Sequence, residues 1–254
     1  MRFQDKVVVV TGASSGIGKA VAELFLRDGA QVIMVSRNAA KAEAALAELR
    51  SVSPACESYL CDVSCESEVI GLFRHVEERY GKLDVLHNNA GISVGSGLLE
   101  TSEAEWDAVM SVNLKGAFFC SKHAVPLLEK GECKAIVNTV SELGLIATKN
   151  TLAYLCSKGA LMQFTRGCAL ELAERGIRVN AVCPAGTESE MFHKDMSAGE
   201  GGYEVNVKRL AASYPLGRIA CPMDIAPAVL FLASAESSFM TGAHILLDAG
   251  FTIQ

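Results

Sequence analysis

Short runs of β-branched and apolar residues alternate along this chain with longer stretches in which apolar residues recur three and four positions apart. The runs at residues 6–11, 31–36, 58–61, 85–88, 135–139, 178–182 and 244–247 predict strands. The stretches at residues 17–27, 39–49, 66–80, 102–130, 152–175 and 222–235 predict helices. Strand, helix and strand repeated in this way imply a parallel sheet covered on both faces, because parallel neighbours need a long crossover between them. The expected fold class is α/β: a doubly wound, seven-stranded parallel sheet in a single domain spanning residues 1–254. No linker, repeat or low-complexity tract divides the chain. Sheets of this kind bind ligands at the carboxyl ends of their strands, so chemistry is sought in the loops that follow them.

The first such loop reads Thr11-Gly12-Ala13-Ser14-Ser15-Gly16-Ile17-Gly18, between a predicted strand and a predicted helix. Its glycines would let the backbone turn and approach a pyrophosphate, while the helix that follows offers unpaired N–H groups and the positive end of its dipole. The spacing is G-x-x-x-G-x-G, one residue wider than the common dinucleotide fingerprint. A plain strand-to-helix turn is the alternative. A second turn, Asn88-Asn89-Ala90-Gly91, follows the fourth strand and is weak on its own.

Tyr154 and Lys158 stand four positions apart on a predicted helix, and Ser141 lies thirteen residues before the tyrosine. Positions four apart share one helix face, so the phenol and the ammonium address one small volume. At about 4 Å and an effective dielectric of about 20, a cation favours phenolate by about 4 kcal/mol. At about 1.4 kcal/mol per pH unit, this is enough to bring a tyrosine from about 10 toward about 7. In isolation such a pair reads as two surface residues on a helix.

Composition narrows the setting. Half of the 254 residues are apolar, which suffices for one large core. The net charge of −6 gives no general attraction to nucleic acid or anionic membrane. No apolar run approaches a membrane span, and residues 7–10 are too short and wrongly flanked for a signal peptide, so the cytoplasm is expected. Nine cysteines, an odd number without any C-x-x-C, point to reduced thiols and to no metal site. Cys156, between Tyr154 and Lys158, is the thiol expected to make the protein sensitive to thiol reagents.

Taken together, the wide glycine loop, Asn88-Asn89-Ala90-Gly91, Asn113, Ser141, Tyr154 and Lys158 resemble the short-chain dehydrogenase/reductase family along almost the whole chain. Further matches in family order are Asp62-Val63, Pro184, Pro215-Leu216-Gly217-Arg218 and Thr241-Gly242. The resemblance implies a Rossmann-type domain and an oxidoreductase that interconverts a secondary alcohol and a ketone with a nicotinamide cofactor. It implies that Tyr154 exchanges a proton with the substrate oxygen, that Ser141 hydrogen-bonds that oxygen, and that Lys158 tunes the tyrosine and binds the nicotinamide ribose. Asn113 would hold a water that links Lys158 to solvent. The cofactor would rest on Gly12, Ser14, Ser15, Gly16, Ile17 and Gly18, on Ser36 and Arg37, on Asp62 and Val63 flanking adenine, and on Asn89, Ala90 and Gly91. Tyr154, Lys158, Pro184, Thr187 and Ser189 would complete its contacts.

Two departures stand out. Ala185 follows Pro184 where the family usually has glycine, so this loop is expected to keep ordinary backbone angles. Asp248-Ala249-Gly250 likewise replaces the frequent Asp-Gly-Gly. The second strand ends in Ser36-Arg37-Asn38 with no acidic residue to repel a 2′-phosphate, and Arg37 offers a planar cation that suits one. NADP(H) is therefore favoured, with NAD(H) still open and a solvated Arg37 as the alternative.

The segment from about 187 to 214 is expected to form a lid over a small-molecule substrate. Met191, Phe192 and Met196, with Val94, Leu143 and Leu145, suggest a lipophilic substrate such as a hydroxysteroid; the alternative is that the lid residues simply pack the lid on the core. Substrate contacts are expected from Ser141, Leu143, Tyr154, Met191 and Phe192. His193 reads as a lid surface residue. A 3-oxoacyl-thioester reductase acting on acyl carrier protein or coenzyme A is the competing reading, weakened by the mixed charge of residues 128–134. A sugar or polyol dehydrogenase and a non-catalytic NADP(H) sensor come after it. The resemblance also implies a homo-oligomer, tetramer or dimer, built on the long helices and the last helix and strand.

Overall fold

In the computed structural model, which describes residues 1–198 and 200–254, the seven strands form one sheet in the order β3-β2-β1-β4-β5-β6-β7. They are β1 Val7–Thr11, β2 Gln31–Ser36, β3 Cys56–Leu60, β4 Val85–Asn88, β5 Ala135–Thr139, β6 Arg178–Pro184 and β7 His244–Leu247. Every neighbouring pair is parallel. All five residues of β1 are buried, as are all five of β5, because helices cover both faces. The alternation survives in where the side chains go. Val8 and Val10 join Phe25 and Leu230 in one core layer, while Val7 and Val9 join Leu72 and Leu127 in the other.

The helices are α1 Gly16–Arg27, α2 Ala39–Val52, α3 Glu66–Tyr80, α4 Glu103–Met110, α5 Gly116–Leu128, α6 Leu152–Leu172, α7 Glu190–Ala198, α8 Gly202–Ser213 and α9 Pro222–Ala233. The helix expected over residues 102–130 is not continuous. A π turn, Ser111–Lys115, separates α4 from α5, with the Gly116 N–H reaching back five residues to the Ser111 carbonyl. A capping box on Ser102 and Glu105 starts α4. The expected lid segment contains two short helices, α7 and α8, which periodicity does not reveal.

The strand order reverses beside β1, whose neighbours are β2 and β4. A crevice opens there at the carboxyl ends, as the fold class requires. At the opposite end the buried carboxylate of Asp84 accepts the Val7 N–H at 2.9 Å and the Glu132 N–H at 2.7 Å, which ties β1, β4 and the approach to β5 together.

Candidate active site

The glycine loop is shaped by close approach. Gly12 has φ +66°, and a Cβ there would stand 2.9 Å from Ala90 Cα. A Cβ on Gly18 would stand 2.4 Å from the Gly12 carbonyl oxygen, which leaves room for hydrogen alone. Asn89 closes the loop by donating its side-chain amide to the Thr11 and Gly12 carbonyls at 3.1 and 3.2 Å. The Thr11 hydroxyl in turn accepts the Asn89 and Ala90 N–H groups. Ser15 caps α1 without a side-chain bond, and the first turn carries no acidic residue, so its N–H groups face the crevice unopposed. Ser189 reaches this helix start, because a Cβ on Gly16 would lie 3.2 Å from Ser189 Cβ.

Beside the loop is an open cleft of about 500 Å³, lined by Gly12, Ser36, Arg37, Asp62, Val63, Ala90 and Gly91 together with Val35, Cys61, Ile92 and Val112. These last four were not singled out from the sequence. Only their nearness to Ser36, Asp62 and Gly91 in the chain hints at them. The Ser36 hydroxyl is hydrogen-bonded to the Ser14 hydroxyl at 3.2 Å. The Arg37 side chain is 64% exposed and lies 3.8 Å from an Asp62 oxygen, a loose contact. Burial opposes ionisation of Asp62, but the Ser64 hydroxyl and N–H, with Arg37, bring its carboxyl below the ordinary value. A glycine cradle, an unblocked helix start and a cleft edged by Ser36 and Arg37 fit a dinucleotide.

Deeper in the crevice, β5 and α6 bring Ser141, Tyr154 and Lys158 together. The Ser141 hydroxyl accepts the Leu143 N–H at 3.2 Å and lies close enough to the Tyr154 hydroxyl to favour its ionised form. Lys158 is 3% exposed, donates Nζ to the Thr139 carbonyl at 2.8 Å and lies 5.5 Å from the Tyr154 ring centroid. The electrostatics differ from the sequence expectation. Burial pushes Tyr154 up to about 12, the Ser141 hydrogen bond opposes this, and Asp195 and Glu142 add to it. Burial also brings Lys158 down to about 8. The ammonium therefore lies beside the Tyr154 ring without lowering the phenol in the free protein, where desolvation dominates.

Asn113 lies in the π turn and is 1% exposed. Its Nδ2 donates to the Ile92 carbonyl and to the Ser157 hydroxyl, both at 3.0 Å, and its Oδ1 accepts the Ile92 N–H at 2.8 Å. Both amide protons are thus used by the protein, which leaves one acceptor site on Oδ1 for the expected water. Gly91 opens space beside it. A Cβ there would lie 3.4 Å from Asn113 Oδ1 and 3.7 Å from Lys158 Nζ.

Pro184 ends β6, and Ala185 keeps ordinary angles, as expected. Thr187 is buried and turns its hydroxyl to the Ala185 carbonyl at 2.9 Å. Ala249, by contrast, sits at φ +54°. In the segment after β6, Ser189 accepts the Phe192 N–H at 3.1 Å, and Glu190 pairs with Lys41 of α2. Phe192 is 8% exposed and packs toward Gly186 and Tyr203; Met191 and Leu143 stay partly exposed, and His193 is exposed and stacked on Tyr203. Two carboxylates whose charge reaches Tyr154 are Glu142 and Asp195. No local pattern marks them, because their position depends on partners distant in sequence.

Comparison with known proteins agrees with this geometry. A family profile described as enoyl-(acyl carrier protein) reductase matches residues 12–252. The chain belongs to the short-chain dehydrogenase/reductase family. It is 38% identical to a 3-oxoacyl-[acyl-carrier-protein] reductase of Thermotoga maritima, over 100% of both chains. It is 35% identical to a 3beta-hydroxysteroid dehydrogenase of Mediterraneibacter gnavus, over 99% of this chain and 96% of that one. The ligand-free aldohexose dehydrogenase structure of Thermoplasma acidophilum superposes with a TM-score of 0.89 at 36% identity, covering 99% of this chain and 95% of that one. As a member of this family the chain is an oxidoreductase that works with a nicotinamide cofactor. Among the described residues, no helix is long and apolar enough to cross a membrane.

Proposed function

We propose that this protein interconverts a secondary alcohol and a ketone, with Tyr154 as the proton donor and acceptor. The observation that carries this reading is the convergence of Ser141, Tyr154 and Lys158 beside a glycine-lined cleft. The bound nicotinamide supplies or takes up the hydride. Ser141 holds the substrate oxygen against the Tyr154 hydroxyl and stabilises the charge that develops on it. Tyr154 gives its proton to that oxygen in reduction and removes it in oxidation. Lys158, charged below about 8, favours the phenolate when the site is filled and water is displaced. Gly91 and the free acceptor site of Asn113 leave room for a water that returns the proton to solvent by way of Lys158.

Gly12, Ser14, Ser15, Gly16, Ile17, Gly18 and Ser189 hold the pyrophosphate side, and Asp62, Val63, Asn89, Ala90 and Gly91 the adenosine side. Tyr154, Lys158, Pro184 and Thr187 complete the nicotinamide side. Ser36 and Arg37 favour NADP(H), since no carboxylate stands at the end of β2 to repel a 2′-phosphate. Residues 187–214 close over the substrate as a lid, whose apolar side is Met191 with Leu143 across the pocket. That lining supports a substrate with an apolar body, of the hydroxysteroid kind. Exposed apolar side chains on α4, α5 and α6, among them Trp106, Phe118 and Leu170, support a homodimer or homotetramer. Nine free thiols are in keeping with the cytoplasm.

The test is a cofactor-depletion screen of steroid, 3-oxoacyl-thioester, sugar and simple ketone panels, with NADPH and NADH side by side. Depletion with ketones, faster with NADPH, is expected. No turnover in any panel, in either direction, contradicts the proposal.

A further inference from the structure

Ser157 is fully buried in α6, directly before Lys158, and the proton-transfer scheme gives it no part. Its hydroxyl donates to the Tyr154 carbonyl at 2.7 Å and meets Asn113 Nδ2 at 3.0 Å. A serine hydroxyl carries a single proton, and the Tyr154 carbonyl takes it, so toward Asn113 the oxygen acts only as an acceptor. That carbonyl belongs to the turn that joins Tyr154 to Lys158, since in an α-helix it receives the N–H four residues on. Ser157 therefore ties the Asn113 amide to the turn of α6 that carries the tyrosine and the lysine.

The other side-chain bonds of Asn113 go to less regular chain. Both reach Ile92, whose N–H is accepted by Oδ1 at 2.8 Å and whose carbonyl takes an Nδ2 proton at 3.0 Å. Ile92 lies in residues 89–97, which form neither helix nor strand, and with Gly91 it borders the cleft beside the glycine loop. Asn113 itself sits in the π turn between α4 and α5, where the regular helical ladder is interrupted. The Ile92 pair sets which way the amide faces, but a loop at the edge of a cleft can carry the amide with it. Among the described residues, Ser157 is the partner that anchors Asn113 to a long helix, the one that also bears Lys158.

The spacing matters because Oδ1 and the ammonium share one small space. A Cβ on Gly91 would lie 3.4 Å from Asn113 Oδ1 and 3.7 Å from Lys158 Nζ. A water placed there must keep hydrogen-bond distance to both, and a drift of about 1 Å in a positioning contact is enough to cost about a hundredfold in rate. The alternative is that Ser157 is a small helix residue satisfied by its own preceding turn. Alanine, the better helix former, would then serve as well.

We propose that Ser157 is a positioning residue, which holds the Asn113 carboxamide at a fixed distance from Lys158 so that one water can bridge them and pass the proton on. This inference rests on the proton route described above and adds the residue that keeps it in register.

The experiment compares the full-length wild type with S157A, N113A, the double variant and S121A. Ser121 serves as control: it is buried and meets Asn88 Nδ2 at 3.1 Å, the same kind of bond with a partner outside the proton route. In cofactor-free protein isotopically labelled on asparagine nitrogen, the Nδ2 protons of Asn113 are identified by their loss in N113A. They should exchange with solvent at least about tenfold faster in S157A than in wild type. Turnover is measured with NADPH and the ketone reduced fastest in the panel above. S157A should lower kcat at least about tenfold and raise the solvent isotope effect on kcat, with KM for both reactants within about threefold of wild type. In the N113A background S157A should change kcat less than about twofold, and S121A should keep the wild-type kcat. S157C, whose thiol is a weak acceptor, keeps the test open should S157A melt early. The inference is overturned if S157A keeps kcat within about twofold of wild type, if its loss is as large without Asn113, or if Nδ2 exchange is unchanged. An equal loss in S121A also overturns it, in favour of a general loosening of the core. Absence of turnover in wild type is a different result, which removes the oxidoreductase reading while the exchange measurement still decides whether Ser157 holds Asn113.

Discussion

Glu142 and Tyr214, 72 positions apart in sequence, come together inside the protein, and the Tyr214 hydroxyl accepts the Gly186 N–H at 2.9 Å. Burial, then the charge of Asp248, pushes Glu142 from its ordinary 4.5 up to about 7, and the Tyr214 hydroxyl only partly opposes this.

The sign of the resulting pH dependence follows from proton counts. Between pH 4.5 and 7 the folded protein holds a proton on Glu142 that the unfolded chain has released, so this group lowers stability as pH rises through that window. The full penalty, on the order of 3 kcal/mol, is present above pH 7 and absent below pH 4.5. E142Q removes it. Melting of the two proteins from pH 4.5 to 8 should show E142Q gaining on wild type as pH rises. A constant difference across the range would mean that Glu142 is not held in an apolar setting.

Arg37 is expected to read the ribose phosphate of the cofactor. It is exposed at the cleft and tied only loosely to Asp62, so R37A should leave the fold intact. Loss of a charge-assisted contact worth about 1.5–3 kcal/mol weakens NADPH by about tenfold to a hundredfold. NADH binding should change less than about threefold. Equal losses for the two cofactors, measured by titration of intrinsic or cofactor fluorescence, would remove the phosphate role.

Ala249 carries a strained backbone at φ +54°. The left-handed region costs a residue with a Cβ about 1–2 kcal/mol. Part of that is returned, because glycine also gains freedom in the unfolded chain. A249G should therefore stabilise the protein by about 0.5–1 kcal/mol, or about 2 °C in Tm for a chain of this size. A lower Tm would mean that the methyl group packs well enough to outweigh the strain.

Much of this was legible in the sequence because it depends on local pattern. Strands buried on both faces read as unbroken apolar runs, as in Val7–Thr11. The cofactor loop declares itself by glycines between a strand and a helix, and Tyr154 and Lys158 by helical spacing. What stayed hidden depends on tertiary partners or on small changes of register. A π turn at Ser111–Lys115 inserts one residue without disturbing the apolar period enough to be seen. Helix α8 buries none of its residues, so no apolar face announced it. Phe192 is buried because Gly186 and Tyr203 offer it a surface. Glu142 is buried and feels Asp248 and Tyr214 from distant parts of the chain, and the raised Tyr154 reflects its burial.

The central claim is that Tyr154 moves the proton. Y154F keeps the ring, its packing and the place of Lys158, and removes only the hydroxyl that meets Ser141. The deciding measurement is kcat of Y154F beside its affinity for NADPH. A fall in kcat of about 10²- to 10⁴-fold is expected, with cofactor affinity within about threefold of wild type. Turnover equal to wild type in Y154F would contradict it.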